Sequence, residues 1–144
     1  MAITQSIVST FKDELFRGVH NFAAGGSTFK IALYTANANL DSATVSYTGT
    51  TGEVPNGSGY TTGGNVLTGQ SVGQAGTTTF IDFDDSVWLT ASFSAAGALI
   101  YNDSAIGKPA VAVLNFGGTY MPTNNTFTVQ FPPNTSTTAV ITAT

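Results

Sequence analysis

Apolar residues recur at i, i+4 and i+8 near the start of the chain, at Ile7, Phe11 and Leu15, with Val8 and Phe16 widening the stripe; the spacing predicts one amphipathic helix over about residues 4–17. Gly18 stands where a helix would stop. After it the period changes to two. Phe29, Ile31 and Leu33 alternate with Lys30, Ala32 and Tyr34, and further strands are predicted at Thr77–Phe83, Val87–Phe93, Ala98–Tyr101, Val111–Phe116, Phe127–Phe131 and Ala139–Ile141. The separators, among them AAGGS, DFDDS, YNDSAIGKP and FPPNTS, are rich in residues that turn the chain.

Seven or eight short strands at this spacing predict a mainly β chain: a single-domain antiparallel β-sandwich or jelly roll with one N-terminal α-helix, spanning residues 1–144. No repeat and no linker divides it. The Gly/Thr-rich stretch over about residues 36–77 is too long for an ordinary connection and reads as functional or mobile, with Tyr60, Val66 and Leu67 anchoring one or two short strands inside it.

Composition changes the picture in one respect. Charged residues make up 8% of the chain, against about 25% in ordinary soluble domains, so Thr, Ser, Asn and Gly must wet its surface. With a net charge of −4 and no basic field, nucleic acid is not an expected partner. No apolar run approaches the roughly 20 residues that span a bilayer, so no membrane partner is expected, and MAITQSIVSTFKDEL lacks the basic-then-apolar pattern of an export signal. Cysteine is absent, which removes thiolate nucleophiles and cysteine metal sites. Much of the charge that exists lies on the predicted helix, at Lys12, Asp13, Glu14 and Arg17, where charged side chains suit an exposed helical face.

Candidate chemistry is sparse. His20 is the only imidazole, follows the helix end and has no Gly-x-Ser-x-Gly elbow beside it, so it is read as a partly buried residue at the helix terminus rather than as a base. Asp82, Asp84 and Asp85 in DFDD put three carboxylates near one another, but turn formation at a strand end explains them better than a cation does, and no glycosidase pair is favoured among Asp82, Asp84, Asp103 and Glu53. The pairs Gly25-Gly26, Gly63-Gly64 and Gly117-Gly118 precede no Gly-Lys-Ser/Thr and read as turns. Asn56, Asn102, Asn124 and Asn134 match the glycosylation pattern at a frequency that chance explains in so Asn-, Ser- and Thr-rich a chain. Trp88 and the tyrosines are read as core or strand-edge anchors, with stacking on sugars as the alternative. The expectation is no enzyme: no catalytic residue, no cofactor and no metal.

Three segments carry a resemblance: FKDELFRGVHNF followed by TFKIALYTANANL, then GEVPNGSGYTTGGNVL, then GALIYNDSAIGKPAVAVLNFGG. In this order, over nearly the whole chain, they resemble small virion structural proteins encoded by tailed bacteriophages. The strongest elements are the helix-to-strand join from Phe11 to Leu33 and the pairing of Gly97–Asn102 with Ala112–Gly117. The resemblance implies a capsid decoration or cement protein with a sandwich body, assembled in the host cytoplasm and working on the virion surface. Its expected partner is the major capsid protein, with self-association at capsid symmetry axes. Lys12, Arg17, His20 and Tyr60 are the candidate partner contacts. The alternative is a head-fibre or tail-associated module that binds host glycans through faces such as Trp88 and Tyr60.

Overall fold

The computed structural model describes residues 2–131 and the backbone of 141–143. It is a β-sandwich with one helix, built from antiparallel sheets. A five-stranded sheet forms its centre, assembled from β1 (Ser6–Ile7), β2 (Phe29–Tyr34), β3 (Asn65–Val66), β7 (Ala95–Asn102) and β8 (Ala110–Tyr120) in the order β1-β8-β7-β2-β3. A second sheet holds β4 (Ser71–Ala75), β5 (Thr78–Asp82) and β10 (Ile141–Ala143), and a ribbon pairs β6 (Ser86–Ala91) with β9 (Asn125–Val129). Most of the strand expected at Ala139–Ile141, and Asn134, lie outside the described residues.

Both faces of the central sheet are covered. Residues paired across antiparallel strands share a face, so Lys30, Ala32 and Tyr34 stand with Tyr101, Leu99 and Gly97, and Phe29, Ile31 and Leu33 with Asn102, Ile100 and Ala98. On the first face Tyr101 stacks on Tyr47, with ring centroids 4.4 Å apart, and the Tyr34 hydroxyl meets Thr50 Oγ1 at 2.6 Å. On the second, Phe29 stacks on Phe22 at 4.3 Å and meets Phe83 edge-on. Two buried faces explain why every residue of β7 is buried and why β2 reads FKIALY, with apolar residues on both sides of the pleat.

The expected helix is shorter than its apolar stripe. Helix α1 covers Ser9–Phe16, because Ile7 is drawn into β1, where it pairs with Ala112 and shields the outer edge of β8. Phe11 and Val8 reach the core, while Leu15 is half-exposed and Phe16 is 90% exposed, so only the N-terminal half of the stripe covers the sandwich. Gly18, at φ +75°, ends the helix in a Schellman arrangement: its N–H donates to Leu15 O and that of Val19 to Glu14 O.

Part of the Gly/Thr-rich stretch covers the first face, through Tyr47 and Thr50. The stretch contains β3, β4 and a 3-10 turn at Tyr47–Gly49. Where β3 ends, Gly52–Val54 continues the pairing along β2: Thr35 N–H donates to Gly52 O, Val54 N–H donates to Leu33 O, and Tyr34 bridges Glu53. Tyr60 and Leu67 are buried anchors, whereas Val66 points outward. Gly64 permits the closest approach, since a Cβ there would lie 1.8 Å from Ile31 O and its φ is +80°.

Candidate functional site

The charged residues expected to meet a partner divide into surface and interior. Lys12 is exposed on α1 and Arg17 just past its end, where Arg17 Nε donates to Asp13 Oδ2 at 2.8 Å, which raises the guanidinium's pKa. His20 is interior, with a fully covered side chain packed beside Phe11, Phe22 and Phe29. Asn102 Oδ1 accepts from Ser104 N–H and Oγ–H, which turns its Nδ2 toward Val19 O and His20 Nδ1. The imidazole proton therefore sits on Nε2 and is donated to Glu14 Oε1 at 3.1 Å. With both ring nitrogens taken and the ring covered, His20 ties the end of α1 to β7 and is not placed to touch a partner.

Tyr60 is also interior, 2% exposed, and belongs to a cluster that turns on Glu53. Glu53 Oε1 accepts from Tyr47 Oη at 2.7 Å, and Oε2 accepts from Tyr60 Oη at 2.6 Å and from Gly63 N–H at 2.7 Å. Tyr60 Oη in turn accepts from Leu33 N–H, and Tyr101 Oη donates to Gly63 O at 2.6 Å. Burial, reinforced at Tyr47 and Tyr60 by the hydrogen bond to Glu53, raises the pKa of all these hydroxyls well above the ordinary tyrosine value, so they stay protonated donors. The cluster clasps the covering stretch to β2 and β7. The sequence did carry a signal for it: Glu53 is the only charged residue between Asp41 and Asp82, set among Tyr47, Tyr60 and apolar neighbours.

The remaining candidates sit apart. Asp82 is buried at the end of β5, where burial raises its carboxyl pKa, a hydrogen bond with the Phe83 backbone opposes the rise, and the charges of Asp85 and Asp84 add to it; its Oδ1 has no hydrogen-bond partner. Asp84 and Asp85 are exposed, and Asp85 Oδ1 accepts from Phe131 N–H at 2.8 Å. Among the described residues no three carboxylate or imidazole groups lie close enough to hold a metal ion. Trp88 is 4% exposed and packs against Tyr60 and Phe127, so neither Trp88 nor Tyr60 offers an open ring to a sugar.

Two hollows of similar size open on the surface: one of about 510 Å³ lined by residues 39–51, among them Asp41, and a groove of about 490 Å³ between β8 and β9, lined by Leu114, Asn115 and Phe116, by residues 127–131, and by Gln5 and Tyr120. Phe116 stands 5.9 Å from Phe127 and 6.4 Å from Tyr120. No Asp, Glu, Lys or Arg lies between Asp85 and Asp103 or after Lys108, so β6, β7, β8 and β9 carry no charge, and neither does the groove. Exposed Leu89, at 71%, and Met121, at 70%, belong to the same uncharged part of the chain. Comparison with protein-family models, with curated proteins and with solved structures yields no match. Sequence periodicity had no way to indicate this groove, because β8 and β9 follow one another along the chain like the arms of a hairpin, yet β8 pairs with β1 and β7 and β9 with β6.

Chemically, then, the polar groups with a specific geometry are closed on one another. The β8–β9 groove is aromatic, amide-bearing and neutral. Such a surface recognises shape, apolar area and backbone, with few long-range electrostatic demands.

Proposed function

We propose that this chain is a structural protein of a tailed-phage virion, a capsid decoration or cement protein that binds the major capsid protein and stabilises the head shell. The observation that carries the reading is the division just described: Glu53 and His20, the polar groups with the most directed hydrogen bonds, are spent inside the fold, while the open groove and the strands around it are free of charge. The ordered resemblance from Phe11 to Gly118 supports the same assignment.

The physics suits the role. A cementing subunit adds affinity between neighbours, and about 800 Å² per partner is enough for a specific contact, more so where one body bridges several subunits around a local symmetry axis. Contacts made by neutral side chains lose little when salt screens charges, so shell binding should change little between low and high ionic strength. A covering stretch held by the Glu53 cluster presents one shape before assembly, which lowers the ordering cost of docking. The test compares particles assembled with and without the chain. Particles that lack it should open at lower temperature and under milder osmotic shock, and equal stability of the two would contradict a cementing role.

A further inference from the structure

The groove has the geometry of a missing strand. Successive side chains of a strand point to opposite faces, so a hollow over a sheet face would be lined by alternate residues. This one is lined by the consecutive run Phe127, Thr128, Val129, Gln130 and Phe131, and opposite by the consecutive run Leu114, Asn115 and Phe116. It therefore runs between two strand edges. Among the described residues β9 has one neighbour, β6, and its other edge faces the groove. On the far side β1 pairs with β8 only at Ala112 and Val113; beyond them the N–H of Asn115 is taken by Gln5 Oε1 and that of Gly117 by Asn115 Oδ1, so the β8 edge has its own partners there and the open edge is that of β9.

We infer that this slot takes an extended, uncharged arm of the capsid protein, which adds itself as a strand along β9. The inference rests on the proposed role as a shell-binding protein. Open strand edges offer unpaired N–H and C=O groups and favour pairing with another chain, and main-chain hydrogen bonds along an edge give affinity while pockets for alternate side chains give selectivity. The run of five lining residues, three on β9 and Gln130 and Phe131 just past its end, is about 17 Å long when extended, enough for one short strand. Phe116 and Phe127 supply an apolar seat for inward-facing side chains, and Thr128 and Gln130 flank it with neutral polar groups. A charged arm would lose its hydration against a lining that holds no counter-charge, so the arm is neutral over this length. A concave slot bounded by two edges admits a single strand, whereas the edge of a second folded copy would need a protruding mate.

Amide hydrogen exchange on the full chain, free and bound to purified shells, tests this. N–H direction alternates along a strand, and the Phe131 N–H points to Asp85 on the β6 side, so the amides of Thr128 and Gln130 face the groove; these two should exchange readily in the free chain and become protected on the shell. Gln130→Lys, at an exposed groove position, should weaken shell binding at least tenfold, and Thr126→Lys, exposed on β9 but outside the groove, should change it less than twofold. Binding with exchange of Thr128 and Gln130 unchanged would overturn the inference and leave the shell-binding role standing. Failure to bind shells at all would overturn both. Protection already present in the free chain would show the slot filled by the chain itself, and photocrosslinks from position 128 to another copy would show self-pairing; either result overturns the inference.

Discussion

The Glu53 cluster and the β8–β9 groove treat polarity in opposite ways. In the cluster one carboxylate takes three donors, and every partner is fixed by a second contact: Tyr60 by Leu33, Tyr47 by stacking on Tyr101, Gly63 by Tyr101. In the groove aromatic rings and amides stand open, with no charge among them. A protein with so few charges has placed a carboxylate where it holds the chain together, and has kept charge away from the groove that is open to a partner. That contrast separates what folds the molecule from what it offers.

The contrast is broken most severely at its centre. Glu53→Ala leaves two tyrosine hydroxyls and a backbone N–H without their acceptor, and should cost about 3–5 kcal/mol in denaturant unfolding, since hydrogen bonds to charged groups are worth about 1.5–3 kcal/mol each. A loss below about 1 kcal/mol would show that the cluster does not hold the covering stretch. Gly64→Ala should cost somewhat less, about 2–3 kcal/mol, by pushing that stretch off the Ile31 carbonyl at a left-handed backbone position. Thermal melts read it directly.

Asp82 sharpens the comparison, because its carboxylate has a backbone hydrogen bond at Phe83 where Glu53 has three donors. Its folded-state pKa is raised, so the folded chain holds the proton more tightly than the unfolded one. Stability from this group is fully present below the ordinary carboxylate pKa and is lost as pH rises through the raised value. Asp82→Asn should therefore raise the melting temperature by a few degrees at pH 7, with the gain vanishing as pH falls into the carboxylate range. An unchanged melt at pH 7 would contradict the stated burial cost. The smallest effect on folding belongs to the groove rim. Tyr120→Ser, at a half-exposed ring, should change stability by no more than about 0.5 kcal/mol while lowering affinity for shells, as measured by co-sedimentation.

Much of the architecture was legible because period-two patterning survives where strands are regular. Phe29–Tyr34 was read to the residue, and most of β5, β6, β7 and β8 to within a few residues. Helix α1 was overextended because Ile7 fits the helical stripe as well as it fits an edge strand, and a two-residue strand leaves no period of its own. In the Gly/Thr-rich stretch the expectation of one or two short strands near Tyr60, Val66 and Leu67 meets β3 at Asn65–Val66, while the order of the rest comes from Glu53 and from pairing with β2, contacts that periodicity does not register. Surface roles fared unevenly. Lys12 and Arg17 are exposed as helical periodicity implies, whereas His20 and Tyr60 carry polar atoms that suggested contact with a partner but are satisfied inside. An unpaired strand edge belongs to no single segment, so the groove had to await the fold.

Quantitative mass spectrometry of purified, intact virions tests the central claim most directly. The account predicts that the chain is present in a copy number of the same order as the major capsid protein, and that it stays with the shell through high salt. Its absence from particles, or its presence at only a few copies each, would contradict a role as shell decoration.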